Sequence, residues 1–407
     1  MGYEVLINPR APNALIFDED FDEVAAYFSD ILKSNSWTAL PGGVIDTYVP
    51  SSDAYEPLIL EASQFRGYRV DADHYIADAK KIIGTALSLI EGRELAYDDF
   101  TLCPSTSVGL LVILMALKRE GISTLLVELP AYFGCLEQAQ LLGFRVLLLP
   151  TLAQEGYVIT PDDLERICSE VDEGIAVVIT QPRYGMGFCR ALAAILTLRE
   201  KLRPGDFLII DEAADQSAPT DMGKVPADGE VTILRVRGLM KGLGLNSARV
   251  AAIFHPSRFR RLFAEIVDLA GGALDTASLV LATNLLSEPV RYVELLQAAQ
   301  RYVRKQRQEL QTRLRGLPIS FSPIESGYIG TAHIFAPSTV SSFVNFQEQF
   351  LQCCRSFRMP VVRGTSMYFP YEGDREIIRI NYFTTEQNIR ASAEALGQVV
   401  EALIREL

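Results

Sequence analysis

The stretch RGLMKGLGLNSARV, residues 237–250, decides the fold. It lies between two apolar runs, residues 231–236 and 250–254. Gly242 and Gly244 allow the backbone to approach another group closely, and Arg249 carries a guanidinium fork suited to a phosphate. An amine beside a phosphate site, in apolar surroundings that lower its pKa, meets the requirements of a Schiff-base lysine, here Lys241. The alternative is an ordinary surface charge.

The composition is that of an ordinary globular protein. The 407 residues are 49% hydrophobic and 22% charged, which suffices for two domains around a sizeable core. The net charge is −13 and basic residues do not cluster, so nucleic acid and anionic membrane are poor partners. The longest apolar stretch, residues 108–117, is too short to span a bilayer, and the chain opens without a basic leader.

The cysteines and histidines predict reduced thiols and no metal site. Six cysteines stand at positions 103, 135, 168, 189, 353 and 354, without a C-x-x-C pair, so we expect a cytoplasmic protein. The three histidines, at positions 74, 255 and 333, are far apart and are interpreted as surface or packing residues.

Short apolar runs alternate with amphipathic stretches between about residue 100 and residue 255. The predicted strands are residues 124–128, 145–149, 175–180, 206–210, 232–236 and 250–254, and the predicted helices are residues 108–119, 134–142, 161–171 and 190–202. The segment Thr160-Pro161-Asp162-Asp163 has the N-cap, N1 proline and acidic first turn of a helix start. This alternation predicts an α/β fold with a mostly parallel sheet covered on both faces.

The pattern changes to α+β after residue 273. Residues 276–316 predict a long helix interrupted near Pro289, followed by strands at 330–335 and 377–382 and helices at 341–357 and 385–407. Thr384 and Gln387 have the spacing of a capping box for the last helix. We expect residues 1–70 to form an arm and part of a small domain, residues 71–290 a large domain, and residues 291–407 the rest of the small domain.

Two further motifs place polar groups where α/β proteins bind ligands. Asp211 follows the apolar run 207–210, and a carboxylate at the C-terminal end of a buried parallel strand faces the ligand crevice. Ser105 and Thr106 precede an apolar helix, whose free N–H groups and dipole favour a phosphate. The alternatives are a loop or N-cap acid for Asp211 and plain N-capping by Ser105 or Ser107.

Taken together, in this order and spacing, these motifs resemble the class I/II aminotransferases, the fold-type-I family of enzymes that use pyridoxal phosphate (PLP). The resemblance implies that Lys241 forms the internal aldimine and acts as general base. It implies that Asp211 pairs with the protonated pyridine nitrogen, which makes the ring an electron sink. It also implies that Arg249, Ser105 and Thr106 bind the phosphate.

Three more residues match the family's pattern. Tyr132 stands where the family stacks an aromatic ring on the cofactor, and Arg379 stands where an arginine holds the substrate's α-carboxylate in a bidentate pair. Tyr68 has about the spacing of a tyrosine that the family sends into its neighbour's phosphate site, which would require a homodimer. The alternatives are a core tyrosine, a structural salt bridge and a surface tyrosine.

The sequence departs from the family's pattern around the cofactor's phenolic oxygen. Tyr184 replaces an asparagine that hydrogen-bonds this oxygen, and Ala214 replaces a tyrosine that also reaches it. Since one phenol is lost and another is gained, our hypothesis is that Tyr184 supplies the hydroxyl that Ala214 cannot.

A second set of departures concerns the phosphate. Pro104 stands for the usual glycine of the phosphate turn, and Gly238 stands for a serine three residues before the lysine. We expect Thr106, Arg249 and Arg237 to make up the lost contact.

The implied activity is transamination between an amino acid and a keto acid. No second arginine is evident for a side-chain carboxylate, so specificity for dicarboxylic amino acids is not supported. Because the departures surround groups that tune the cofactor, a PLP lyase or cyclase acting on a specialised amino acid is the alternative. A ligand-binding protein without turnover is a third possibility, against which the retention of Lys241, Asp211 and Arg379 argues.

Overall fold

The structure is a computed structural model that describes residues 4–5, 72–151, 156–245, 248–271, 274–337, 343–357, 359, 361–364, 369 and 374–406. Within these ranges the chain forms a sheet of eight strands and a sheet of three strands, both packed against helices.

The eight-stranded sheet has the order β1-β4-β3-β5-β6-β7-β8-β2. Its strands are β1 (Glu4–Val5), β2 (Phe100–Cys103), β3 (Thr124–Glu128), β4 (Arg145–Leu149), β5 (Ile175–Thr180), β6 (Phe207–Glu212), β7 (Thr232–Gly238) and β8 (Ala251–Phe254). Neighbours from β1 to β7 in this order are parallel, whereas β8 and β2 pair antiparallel at one edge. Strands β5, β6 and β7 are buried along their whole length, as in a sheet covered on both faces. The predicted α/β fold is confirmed.

Helices connect these strands and cover the sheet. They are α1 (Ala72–Glu91), α2 (Thr106–Arg119), α3 (Phe133–Leu141), α4 (Pro161–Glu170), α5 (Leu192–Glu200) and α6 (Arg260–Gly271). The predicted start of α4 is confirmed and is a mutual capping box. The hydroxyl of Thr160 accepts the N–H of Asp163 at 3.3 Å, and the Asp163 carboxylate accepts the N–H of Thr160 at 3.1 Å.

The interruption predicted near Pro289 separates α7 (Thr276–Leu286) from α8 (Pro289–Arg313). Proline starts α8 because its missing N–H is not needed in a first helical turn. Helix α8 then connects the two parts of the molecule. Near its start the Tyr292 hydroxyl donates to the carbonyl of Leu239, just after β7, and further along it packs against the C-terminal helix.

The three-stranded sheet is antiparallel and has the order β11-β10-β9. Its strands are β9 (Ile319–Phe321), β10 (Ile329–Phe335) and β11 (Arg375–Asn381), and it packs with α9 (Phe343–Ser356) and α10 (Glu386–Glu406). Phe346, Phe350 and Leu396 belong to a core separate from that of the large sheet. Thr331 on β10 is the register partner of Arg379 on β11, so both side chains lie on the same face.

The capping box predicted at Thr384 and Gln387 is wrong by one residue. The hydroxyl of Thr385 accepts the N–H of Asn388 at 3.1 Å, while the Asn388 side chain donates to the Thr384 hydroxyl at 3.0 Å. Two adjacent threonines offer the helix two possible caps, and α10 begins after the second.

In the described part of the chain, every helix is too short or too polar to cross a lipid bilayer.

A buried ion cluster ties α1 to the large sheet. The Arg235 guanidinium on β7 contacts both oxygens of Glu91 at 2.7 and 2.9 Å and both oxygens of Glu212 at 2.9 and 3.2 Å. All three side chains are buried. Burial raises the pKa of Glu212 to about 7, although Arg235 favours its charged form. The charge and hydrogen bonds of Arg235 therefore offset part of the free-energy cost of burying the two carboxylates.

Replacing Arg235 with leucine should destabilise the fold by about 3–5 kcal/mol, because two carboxylates lose their buried partner. Arg313→Leu, which breaks an exposed pair with Glu309 (2.7 Å), should cost less than about 1 kcal/mol. Urea unfolding followed by circular dichroism measures both. Similar midpoints for the two variants would contradict this account.

Candidate active site

A cleft of about 600 Å³, partly open to solvent, lies where β5 and β6 end and α2 begins. This edge of a parallel sheet is the usual ligand site because strand C-termini and helix N-termini converge on it. Its walls come from the ends of strands, the start of α2 and the segment before β10. The lining residues are Thr106, Ser107, Leu110, Tyr132, Thr180, Gln181, Pro182, Arg183, Tyr184, Gly185, Asp211, Ala213, Ala214, Lys241, Gly327, Tyr328 and Ile329.

Asp211 lies near the end of β6, as predicted, and its side chain enters the cleft. Its carboxylate accepts the N–H of Ala213 at 3.0 Å. Burial raises its pKa to about 6, although the Lys241 amine and the Ala213 N–H favour the charged form. The fold thus keeps a carboxylate in a place that suits a buried cationic partner.

The backbone around Lys241 is fixed by the sheet. Lys241 begins a 3₁₀ turn, Lys241–Leu243, three residues after the end of β7. Gly244 ends this turn at φ 78°, a left-handed conformation that favours glycine. The N–H of Leu239 donates to the carbonyl of Val250 at 3.0 Å, so the connection from β7 to β8 is closed at its base.

The electrostatic surroundings of Lys241 favour a neutral amine. Burial lowers its pKa, and the positive charges of Arg379 and Arg249 lower it further. The Asp211 carboxylate acts in the opposite direction. The structure therefore brings together four of the residues that the sequence had singled out.

Two glycines allow close backbone contacts beneath the lysine. A Cβ atom on Gly242 would lie 2.8 Å from the carbonyl oxygen of Asp215, and one on Gly238 would lie 2.4 Å from that of Ala213. Any side chain at position 238 would push away the turn that follows Asp211. Close packing in this chain therefore requires glycine at position 238, where the family commonly has serine.

The start of α2 faces the cleft with polar groups. Ser105 is the N-cap, and its hydroxyl accepts the N–H of Val108 at 3.2 Å, so the capping alternative describes its side chain. Thr106 and Ser107 line the cleft, and N–H groups of a first helical turn have no acceptor within the helix. Leu110, one turn after Thr106, is a further wall residue that helical periodicity could have indicated.

Tyr132 follows β3 and forms one wall of the cleft. Its ring lies over Gly134, where an added Cβ would be 2.7 Å from the ring. Its hydroxyl is 3.2 Å from the Ser107 hydroxyl. These two contacts fix the Tyr132 ring between the starts of α2 and α3.

The loop after β5 is anchored by Arg183. Its buried guanidinium lies 3.3 Å from the Glu128 carboxylate and donates to the Pro130 carbonyl at 2.7 Å. The Thr180 hydroxyl accepts the N–H of Tyr184 at 2.8 Å. These bonds connect the segments that carry Tyr132 and Tyr184, whose ring centres are 6.4 Å apart.

The phenol of Tyr184 lies near the Arg379 guanidinium, which comes from the small sheet. Burial raises the Tyr184 pKa, and the nearby Arg379 charge acts against this rise. Since a guanidinium only donates, the phenol oxygen can act only as an acceptor towards Arg379. Gly185, at φ 68°, packs against Phe369, and an added Cβ would lie 3.7 Å from the Thr331 side chain on β10, so the loop contacts the small sheet.

Of the remaining predicted residues, one is exposed, one is buried and one lies outside the described part of the chain. Arg249 is exposed, yet its charge reaches Lys241. Arg237 is buried and lies 3.1 Å from the Asp215 carboxylate, which argues against a phosphate contact by its guanidinium. Tyr68 lies outside the described residues.

The segment Gly327-Tyr328-Ile329 forms a wall of the cleft that sequence reasoning missed. It precedes and begins β10, more than 80 residues from Lys241, and carries no local motif. Only the packing of the small sheet against the large one brings it to the site.

The sequence also places this chain among known proteins. Residues 77–396 match the model of the family described as aminotransferase class I and II, so the chain belongs to that family and is a transferase enzyme. The predicted family and aminotransferase activity are thereby confirmed. No curated protein sequence matches the chain.

Solved structures of aspartate aminotransferases share the fold. A double mutant of the Thermus thermophilus enzyme has a TM-score of 0.74 and 17% identity over 96% of this chain and 99% of that one. The Thermotoga maritima enzyme gives 0.74 and 16% over 94% and 97%. The Rhizobium meliloti enzyme gives 0.74 and 16% over 98% of both chains.

Asp211→Asn should stabilise the cofactor-free protein at alkaline pH. The folded-state pKa of Asp211, about 6, lies above its ordinary value of 3.8, so stability falls as pH rises between these values. We expect the variant to be more stable by about 3 kcal/mol at pH 8 and by roughly half of that at pH 5.

Urea unfolding at the two pH values checks this prediction. Asp221→Asn, in an exposed turn, is the matched control and should show no such pH dependence. An Asp211 variant that behaves like the control would show that this carboxylate is not strained by burial.

Proposed function

We propose that the cleft binds pyridoxal phosphate and that the Lys241 amine attaches it covalently. The observation that carries this proposal is the half-buried Lys241 side chain, whose amine is electrostatically coupled to the buried carboxylate of Asp211 in the same cleft. Burial disfavours the charged form of both groups, and such displaced pKa values mark functional sites.

The residues of the cleft fit this cofactor. Asp211 would pair with the ring nitrogen, and the Tyr132 ring would lie against the pyridine ring. The start of α2, with Thr106 and Ser107, and the Arg249 charge would hold the phosphate. When bound, the cofactor supplies a conjugated cationic ring that accepts electrons from the substrate's α-carbon.

The Lys241 amine is also suited to move the substrate's α-proton. Its lowered pKa increases the fraction of neutral amine near pH 7, and a neutral amine is the form that accepts a proton. The Asp211 carboxylate has the opposite effect on the Lys241 pKa, because it stabilises positive charge in the cleft. Lys241 would therefore act as general base towards the substrate's α-proton.

The substrate's α-carboxylate would bind Arg379. Its guanidinium reaches the cleft from β11, and a planar fork binds a carboxylate through two parallel hydrogen bonds. Among the described wall residues that remain for the substrate side chain, Pro182, Tyr328 and Ile329 are uncharged. We therefore expect amino acids with neutral side chains to be preferred over aspartate and glutamate.

Borohydride treatment of the yellow wild-type protein should leave a reduced pyridoxyl adduct on Lys241, found by peptide mass mapping. Lys241→Met should keep the circular dichroism spectrum of the wild type and yield no adduct. A colourless wild type without an adduct at this residue would reject the proposed cofactor role.

The same preparation, mixed with the twenty standard amino acids without a keto acid, distinguishes the reaction types. Conversion of the cofactor to pyridoxamine phosphate supports transamination. Release of ammonia or a cyclic product, with the original spectrum restored, indicates a lyase or cyclase. A lasting spectral change without product indicates a binding protein.

We also propose that Tyr184 donates its remaining phenol proton to the cofactor's phenolic oxygen. The support is the position of Tyr184 in the cleft near the Arg379 guanidinium, which can only donate to the phenol oxygen and so does not take up its O–H. Ala214 offers no hydroxyl at this place.

Tyr184→Phe should raise by about one unit the pH at which the visible band of the bound cofactor changes, because a donor to a negatively charged oxygen is lost. Absorbance titration measures it. Tyr132→Phe removes a hydroxyl that contacts Ser107 and should shift the titration far less. An unshifted titration in Tyr184→Phe would remove this role.

A further inference from the structure

The segment that leads into Gly327, Tyr328 and Ile329, one wall of the cleft, is hydrogen-bonded to the loop that follows β5 of the large sheet. The N–H groups of Glu325 and Ser326 both donate to the carbonyl of Gly187, at 2.7 and 3.0 Å. On the other side, the N–H of Tyr382 donates to the Tyr328 carbonyl at 2.9 Å. The segment therefore joins the loop after β5 to the small sheet.

The Ser326 hydroxyl makes two hydrogen bonds across this boundary. It donates to the Asp215 carboxylate at 2.6 Å and accepts the N–H of Gln216 at 2.7 Å. Ser326, Asp215 and Gln216 are all buried, at 0%, 2% and 1% exposure. The backbone N–H of Gln216 can only donate to the Ser326 oxygen, and the Ser326 proton is then directed at the Asp215 carboxylate. One hydroxyl thus holds the turn that follows Asp211.

Gln216 continues this connection to the lysine. Its side-chain amide donates to the carbonyl of Gly242, the residue after Lys241, at 2.8 Å. The absence of a side chain on Gly242 lets the same turn approach closely, since a Cβ there would lie 2.8 Å from the Asp215 carbonyl. Ser326 is therefore connected through Gln216 to the backbone of Gly242, the residue that follows Lys241.

We propose that Ser326 is a positioning residue that fixes the Lys241 turn relative to the substrate-facing wall formed by Gly327, Tyr328 and Ile329. It acts through Gln216 and does not touch the reacting atoms. This inference rests on the proposed function of Lys241.

The consequence for the reaction is geometric. If the Ser326 hydroxyl is removed, Asp215 keeps its contact with Arg237, whereas the Gln216 N–H loses its acceptor and the Lys241 turn loses its fixed distance from the wall. Misplacement of a catalytic group by about 1 Å can cost on the order of a hundredfold in rate. A partly retained turn should cost about tenfold.

The test compares Ser326→Ala, Gln216→Leu and the double variant with the wild type as cofactor-loaded enzyme, on the amino acid that reacts best among the standard twenty. Each single variant should lower kcat about tenfold and change KM less than twofold. The double variant should lose no more than either single variant, because both changes break the same connection.

Ser322→Ala is the matched control. Its hydroxyl lies in the connection between β9 and β10 that also carries Ser326, is buried, and accepts the N–H of Thr331 at 2.9 Å, so its bond stays within the small sheet. This variant should lose thermal stability comparably to Ser326→Ala and keep kcat within twofold of the wild type.

A second measurement does not depend on turnover. Pyridoxal phosphate added to cofactor-free protein should form the covalent absorption band about tenfold more slowly in Ser326→Ala and Gln216→Leu than in Ser322→Ala. The inference is overturned if Ser326→Ala matches the wild type in both measurements, if Ser322→Ala loses as much kcat, or if the losses multiply in the double variant. Failure of the proposed function itself would show separately, as a wild type without a pyridoxyl adduct on Lys241.

Discussion

The cleft depends on the electrostatic coupling of two groups, the half-buried amine of Lys241 and the buried carboxylate of Asp211, which lie close enough to stabilise each other's charged form. Either charge alone at the end of a buried sheet would cost several kcal/mol and would be neutralised. Each group limits the pKa displacement that burial imposes on the other. The ends of parallel β6 and β7 provide this closeness, because adjacent parallel strands deliver their next residues to the same edge of the sheet.

Much of the large sheet could be predicted because its strands are continuous apolar runs. Residues 124–128, 145–149 and 175–180 match β3, β4 and β5 fully. Strand β6 extends beyond its predicted end because Asp211 and Glu212 look like loop residues in the sequence. Their charges stay inside the sheet since Lys241 and Arg235 compensate them.

The residues proposed for catalysis could be predicted from short sequence motifs. The residues that hold them in place could not. Ser326 and Asp215 are separated by 111 residues, and a hydrogen bond between them leaves no periodic trace in the sequence. The same holds for Tyr328, which only the packing of the two sheets brings to the cleft. For Gly238, the sequence shows that glycine replaces the family's usual serine. Only the structure gives the reason, which is the nearby carbonyl of Ala213.

The hydrogen bond between Leu239 and Val250 has a consequence for how this site can change. It fixes the backbone two residues before Lys241, so the position of this lysine is set by the scaffold. The surrounding walls come from separate segments with their own anchors. Evolution can therefore exchange wall side chains, and with them the accepted molecule, while Lys241 stays where the scaffold puts it.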